Sequence, residues 1–394
     1  MSAPIPLEDA WDRLFALAAP LGIETIPVNQ SAGRWLAQDI EARRTQPETD
    51  LSAMDGFAVA GPGPWAIVGE ARAGRAFDRA VSSGQAVRIS TGAACPAGTD
   101  EILLIEDAKV TEEQVAASSP AEARHIRRRG FDFAVGDALL PNGTRIGAAQ
   151  IALARAGGVG EVSVRRHPRV TLIECGDELV ADPVDCPSGH LPASNGAMLA
   201  SMAEGVGAIP RIVGPVADDR ALLARAFAEA DDADVIVTSG GASVGAHDHI
   251  RGALEDCGAD LAFWRVAIRP GKPLLVARLG KKVVIGLPGN PASAYVTAFL
   301  FVLPFLRAIQ GATQPHPRAI PLPVMGNLPT GGSRREFLRA RMVDGEAQPM
   351  MERDSSALRT LAAADLLIDR LPQAEAASTG DVVNCYWLPN GGLT

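Results

Sequence analysis

Residues 234–245 read DVIVTSGGASVG, and residues 283–293 read VVIGLPGNPAS. Each stretch opens with a short apolar run and then breaks into a loop of Gly, Pro, Ser and Asn. A third stretch, RVTLIECGDEL at 169–179, has the same form. Short unbroken apolar runs suit strands buried on both faces, as in a parallel sheet covered by helices. The segments between them alternate accordingly. Residues 195–204 suit a helix capped by Ser194 or Asn195. Residues 209–213 suit a strand. Residues 218–230 suit a helix with Leu222, Leu223, Ala226 and Phe227 on one face. Strand–helix alternation of this kind predicts a doubly wound α/β unit. Ligands of such sheets sit at the carboxyl ends of the strands, and all three loops follow strands.

Outward from this unit the character changes. Leu7, Trp11, Leu14, Phe15 and Ala18 share a helical face, so the chain is expected to open with an amphipathic helix ending near residues 20–22. Short alternating runs at 65–68, 86–89 and 101–105 predict a small β-rich unit. Residues 125–140 read as a strand, a turn and a second strand, and residues 148–156 as a helix. Beyond residue 317, runs at 336–342, 366–368 and 382–387 with a helix at 356–364 predict a C-terminal β-rich unit. The longest apolar stretch, residues 295–306, contains Pro304 and is too short to span a membrane, so it reads as a buried helix.

The chain has 394 residues, 37 Lys and Arg against 46 Asp and Glu, and a formal charge of −9. That balance argues against nucleic acid as a partner. It leaves room for an anionic ligand in a local cationic pocket. Only four cations are lysines, and Lys272 sits inside the turn RPGKP, residues 269–273. The five cysteines are scattered and never form CxxC, which argues against a zinc site or a disulfide framework and for a reducing cytoplasm. No basic segment followed by an apolar run opens the chain, so no signal peptide is expected.

Several loops can carry chemistry. SGGASVG offers unobstructed backbone N–H groups with hydroxyls at Ser239 and Ser243. It serves equally well as an anion cradle or as a turn that lets strand and helix pack closely. In GLPGNPAS, Pro291 suits a first helical turn, with Asn290 or Ser293 as cap, and the dipole end faces the crevice. Arg269 and Lys272 offer a fork and a point charge for phosphate, or simply a solvated turn. Asp177, Glu178 and Asp248 lie beyond strand ends, where carboxylates hold Mg²⁺ or else cap helices. His247 and His249 flank Asp248 and read as turn residues. Asp55 in LSAMDGFAV and Thr91 in RISTGA each fit ordinary turn chemistry when taken alone.

Taken in order, the segments resemble the molybdopterin molybdenumtransferase (MoeA) family, to which the E domain of gephyrin is also similar. The resemblance rests on DLSAMDGFAV, RISTGAACPAGTDEILLIED, IRRRGFDFAVGD, RVTLIECGDELV, SNGAML, DVIVTSGGASVGAHD, VAIRPGKPL and VIGLPGNPASA, which span residues 50–294. RREFLRARM and SSALRTLAAADLLI are similar to its last domain. The resemblance implies a multi-domain α/β plus β chain. Residues 1–46 with 130–165 would form an extended linking domain, and 47–129 a small β-rich domain. Residues 166–312 would form the molybdopterin-binding α/β domain, and 313–394 a C-terminal β-rich domain. It also implies a homodimer whose site lies between the α/β domain of one protomer and the small β domain of its partner.

The implied reaction inserts molybdenum into adenylylated molybdopterin, with Mg²⁺ as cofactor and molybdate as substrate, yielding molybdenum cofactor and AMP. By motif, catalytic roles fall to Asp55, Thr91, Asp132 and Glu178, and metal binding to Glu178 and Asp248. Substrate binding falls to Ser239, Gly240, Gly241, Ser243 and Gly245, to Arg269 and Lys272, and to Pro288, Gly289, Asn290, Pro291 and Ser293. Further implied partners are the molybdopterin adenylyltransferase and recipient molybdoenzymes, with neither nucleic acid nor membrane. The chain departs from the family pattern at Phe57, where Tyr is usual, and at Arg269, where Lys is frequent. Ala242 and Asp365 replace the more usual Val and Asn. Two rival readings use the same residues: an ATP-dependent molybdopterin adenylyltransferase, and a dimeric scaffold without catalysis.

Overall fold

A computed structural model of the chain describes residues 3–240 and 249–390. At its centre lies a six-stranded sheet. In spatial order its strands are Ile209–Val216, Arg169–Cys175, Val235–Ser239, Lys282–Leu287, Leu275–Leu279 and Asp260–Trp264. The first four are mutually parallel, and the last two run antiparallel to their neighbours. The sheet is therefore mixed rather than wholly parallel. The cause is local: only Gly280 and Lys281 separate Leu275–Leu279 from Lys282–Leu287, enough for a hairpin but not for a crossover.

Alternation along the strands divides two cores. Leu172, Val237 and Ile285 face the helices Asn195–Glu204 and Pro291–Ile309. Ile173, Ile236 and Val284 face Leu223, Phe227, Ile250 and Leu254 of the helices Arg220–Glu229 and His249–Asp256. The apolar run at 295–306 is the centre of the helical stretch Pro291–Ile309, which has a mean hydropathy of 1.7. It is 89% buried inside the protein, so its apolarity belongs to the core. Its middle turn, Ala298–Val302, widens to π geometry just ahead of Pro304. A proline that cannot donate an N–H is a recognised cause of such irregularity.

The first core continues into the C-terminal sheet through Phe337, Leu367 and Tyr386. In that sheet Ile268–Arg269, Arg335–Val343, Leu366–Arg370, Val382–Trp387 and Ile320–Pro323 are neighbours in that order. Ile268–Arg269 leaves the α/β segment to pair in parallel with Arg335 and Glu336. The two units thus share both a strand and a core. A third sheet, of six strands like the other two, contains Gly56–Ala60, Trp65–Ala71, Gln85–Ile89 and Glu101–Leu104. Early and late segments meet where Ile23–Pro27 pairs with Glu161–Arg165 above Val28, Leu36, Leu140 and Val164.

Several expectations require correction. The opening helix is Leu7–Phe15, shorter than its apolar stripe. Leu17 and Ala18 tighten onto the carbonyls three residues back, and Pro20 prevents continuation. The two strands read within 125–140 are both present, each pairing elsewhere. Ile126–Arg127 pairs with Leu51–Ser52, and Ala138–Leu140 pairs with Ile40–Glu41. Ten residues separate them, too many for a tight hairpin. The helix expected at 218–230 is Arg220–Glu229, because Asp219 caps it by accepting from the N–H groups of Ala221 and Leu222. The helix expected at 356–364 is reduced to Leu358–Ala362.

Candidate functional site

The carboxyl ends of the central strands meet in register, Glu174 beside Ser239 and Ser239 beside Leu287. Here polar groups replace the apolar core. Neither Ser194 nor Asn195 caps the following helix through its side chain. Glu174, buried at the end of its strand, does so instead: Oε1 accepts from Asn195 N at 2.9 Å and Oε2 from Gly196 N at 2.8 Å. A carboxylate at a helix start gains from two N–H groups and the dipole together. Asn195 Nδ2 then donates to Ser239 Oγ and to the Gly289 carbonyl, both at 2.7 Å. At Gly240 (φ +92°) a Cβ would lie 2.2 Å from the Cys175 carbonyl oxygen, so only glycine lets that strand end press on its neighbour.

Beside this crevice stand three acids. Asp177 Oδ1 accepts from Asp218 N at 3.0 Å, and Glu178 follows on the exposed loop. Asp218 Oδ1 is buried without a hydrogen-bond partner. Burial, and after it the negative charges of Asp177 and Glu178, push the Asp218 carboxyl above the usual range, with His249 pulling the other way. An ionised cluster of this kind invites a cation. Among the described residues no three acid, histidine or cysteine side chains already converge on a metal position. Gly241, Ser243, Gly245, His247 and Asp248 lie outside the described residues.

A cavity of about 430 Å³ opens between the α/β unit and the C-terminal sheet. Arg269, Lys272, Pro288, Asn290 and Ser293 line it from the first. The other wall comes from the C-terminal unit. Five of its lining side chains are cationic (Arg269, Lys272, Arg334, Arg339 and Arg353), against the acids Glu336, Glu352 and Asp354. In a chain of charge −9 this is a local reversal. Arg269 Nη1 lies 3.3 Å from Glu336 Oε1, whereas Lys272 is exposed on its turn. Gly271 (φ +102°) seats that turn on the helix, where a Cβ would meet Thr297 Cγ2 at 2.3 Å.

Asn290 begins the helix without capping it; its Nδ2 donates to Ser355 Oγ at 2.8 Å, and Ala292 N donates to the Ser355 carbonyl at 2.9 Å. Pro291 occupies the first turn as expected. Buried Arg339 shapes the loop carrying Ser355, donating to the carbonyls of Glu352, Asp354 and Ala357 at 2.9, 2.8 and 3.1 Å.

Asp55 and Thr91 lie in the unit built on the sheet of Gly56–Ala60 and Gln85–Ile89. Asp55 Oδ1 accepts from Thr91 N at 2.6 Å and from Thr91 Oγ1 at 3.1 Å. Two of the four expected catalytic residues are thus one hydrogen-bonded pair, exposed at the ends of adjacent strands. Asp132 is exposed in the segment that crosses back, its N–H bonded to the Gln46 carbonyl. Within the single chain the 430 Å³ cavity is lined by none of Asp55, Thr91, Asp132 or Glu178.

Asn195, Asp218, Arg334, Arg339 and Ser355 join the site although the sequence does not single them out. Asp218 reads as a helix start and Asn195 as a cap. The one available signal is Glu174, an acid closing an otherwise apolar strand.

A multi-domain protein in which the PGNPAS loop at a strand end and the RPGKP turn wall a cationic recess is the class that this architecture defines. Residues 5–158 match the "MoeA N-terminal region (domain I and II)", residues 171–308 the "Probable molybdopterin binding domain", and residues 321–388 the "MoeA C-terminal region (domain IV)". The chain is 34% identical to a molybdopterin molybdenumtransferase of Haemophilus influenzae, over 85% of each chain. It is 32% identical to one of Bacillus subtilis, over 93% of this chain and 90% of the relative. A solved molybdopterin biosynthesis MoeA protein from Pyrococcus horikoshii superposes with a TM-score of 0.80 at 27% identity, covering 99% of this chain and all of that one. The chain belongs to the molybdopterin molybdenumtransferase (MoeA) family.

Proposed function

We propose that this protein inserts molybdenum from molybdate into adenylylated molybdopterin and releases AMP. The observation that carries the reading is the cationic recess between the α/β and C-terminal units, walled by the RPGKP turn, the PGNPAS loop and the Ser355 loop. The substrate carries a pyrophosphate and molybdate is a dianion. Lys272 and Arg334 supply positive charge for the phosphates, and the PGNPAS helix start favours the same sign of ligand.

The chemistry has two halves. The dithiolene sulfurs bond to molybdenum and displace oxygen, which leaves as water. A water molecule cleaves the pyrophosphate, returning a phosphate on the pterin and AMP. Asp55 holds Thr91 through Oδ1 and keeps Oδ2 outside those bonds, so the pair can orient a hydroxyl or water and take up its proton. Glu178, with Asp177, Asp218 and Asp248, is the set that would hold Mg²⁺. The buried, unpartnered Oδ1 of Asp218 fits that assignment. When bound, Mg²⁺ neutralises phosphate oxygens and eases departure of the nucleotide.

The working unit in this reading is a homodimer, with Asp55, Thr91 and Asp132 of one protomer meeting the recess of its partner. The molybdopterin adenylyltransferase would supply the substrate and recipient molybdoenzymes would take the product. A reducing cytoplasm keeps the dithiolene and the five cysteines as thiols.

The test measures AMP release at saturating molybdate. Glu178→Ala is expected to slow it by about two orders of magnitude. Unchanged turnover removes Glu178 from the site. Supplying ATP, Mg²⁺ and unmodified molybdopterin gives the complementary control, because prompt adenylylation would overturn the assignment of the step.

A further inference from the structure

Asn195 is buried, 7% exposed, and stands between two strand ends and the PGNPAS loop. Its surroundings fix which way the amide points. The Gly289 carbonyl can only accept, so the atom 2.7 Å from it must be Nδ2. The second hydrogen on Nδ2 is thereby directed to Ser239 Oγ, also at 2.7 Å. Ser239 accepts that bond, which leaves its own hydroxyl proton free to point elsewhere. Asn195 Oδ1, meanwhile, is buried without a donor. A polar atom left in that state weakens the fold, and such atoms persist where position matters more than stability.

We infer that Asn195 is a positioning residue for the anionic substrate. Its amide ties Ser239, at the end of its strand, to Gly289 of the PGNPAS loop and occupies one lone pair of the Ser239 hydroxyl, leaving the hydroxyl proton free to donate. Glu174 holds Asn195 in place through two backbone N–H groups. The ligand chemistry this serves is a phosphate or metal oxyanion oxygen, which accepts from a hydroxyl and is repelled by a lone pair. The inference rests on the functional reading above and adds to it a means by which the crevice is polarised.

The test uses the full-length protein and measures binding of adenylylated molybdopterin by calorimetry. It is run at a temperature where circular dichroism shows every variant folded. Asn195→Ser keeps a small polar residue at the helix start but is too short to reach Gly289. It is expected to weaken binding about tenfold, as is Ser239→Ala, while Ser239→Thr, which keeps the hydroxyl, should bind more tightly than Ser239→Ala. The double variant Asn195→Ser with Ser239→Ala should lose little more than either alone, because both remove one donor.

Unaltered affinity in Asn195→Ser, or fully multiplicative losses in the double variant, overturns the proposal. If Asn195→Ser does not fold, the Ser239 pair decides: equal binding by Ser239→Ala and Ser239→Thr overturns it. A failure of the unaltered chain itself to bind adenylylated molybdopterin would instead bring down the functional reading, so the two failures are distinguishable.

Discussion

The indole Nε1 of Trp11 donates to the carbonyl of Leu300 at 2.7 Å, across 289 positions of sequence. Pro304 stands four residues after Leu300 and has no N–H to return to it. The opening helix therefore supplies from outside a hydrogen bond that Pro304 cannot. Trp11→Phe keeps the ring and removes the donor, and should cost about 1 kcal/mol, the usual scale for a lost partner on a part-buried carbonyl. Combining it with Pro304→Ala tests the cause. A restored N–H at position 304 should make Trp11→Phe less costly, which urea titrations of the four proteins would reveal. Equal costs in both backgrounds would mean that the proline is unrelated.

The acids at the strand ends give a prediction with a definite sign. Asp218 is raised by burial and by Asp177 and Glu178, so its ionised form is disfavoured in the folded state. At neutral pH this locus subtracts from stability, and the penalty fades as pH falls towards the raised value. Asp218→Asn should raise the thermal midpoint of the metal-free protein at pH 7.5 and change it much less at pH 5. The same substitution should diminish the upward shift that added Mg²⁺ produces in the unaltered protein. A variant less stable at pH 7.5 would show that the charge has a structural partner.

Much of the α/β unit was legible because its signals are local. Val235–Ser239 and Lys282–Leu287 announce themselves as apolar runs, and Pro291 marks its helix start. The antiparallel edge was hidden because its direction depends on a two-residue connection at Gly280 and Lys281, not on periodicity. The pairing of Ile126–Arg127 with Leu51–Ser52 was hidden for the opposite reason, being set by tertiary competition between distant segments. In the site, residues that carry charge in glycine-rich loops stood out, Lys272 and Glu178 among them. Asn195 did not, since nothing in NGAML separates a cap from a clamp. Arg339 did not either, because in a strand reading REFLRARMV its burial is decided by a loop 13 to 18 residues later.

That loop gives the third prediction. Burial lowers the Arg339 guanidinium below its ordinary value, yet it gives donors to three backbone carbonyls. Arg339→Met keeps the stem and leaves the carbonyls of Glu352, Asp354 and Ala357 without that donor. The loss should be about 3 kcal/mol, at the level of breaking a buried charged hydrogen-bond set. The loop carrying Ser355 should become open to proteolysis before the rest of the chain, and affinity for AMP should fall with it. Limited digestion followed by mass spectrometry of the first cleavage products would check this. A first cut elsewhere would deny Arg339 its role in shaping the recess.

The sharpest prediction concerns the separation of the Asp55–Thr91 pair from the recess. The proposed dimer places Asp55 of one protomer against Glu178 of the other, so each site draws one of the two acids from each chain. Asp55→Ala alone and Glu178→Ala alone should then each be nearly inactive. In a dimer containing one chain of each kind, one site inherits both substitutions and the other inherits neither. Random reassortment of equal amounts makes half the dimers mixed, so roughly a quarter of the unaltered activity should return. Denaturing and refolding the two variants together, then measuring molybdate-dependent AMP release, provides the assay. Two tags on the two chains allow the mixed dimer to be isolated, and its activity should be roughly half that of the unaltered protein. If the isolated mixed dimer is as inactive as its parents, each site takes both acids from a single chain. The path between Asp55 and Glu178 would then have to close within one protomer.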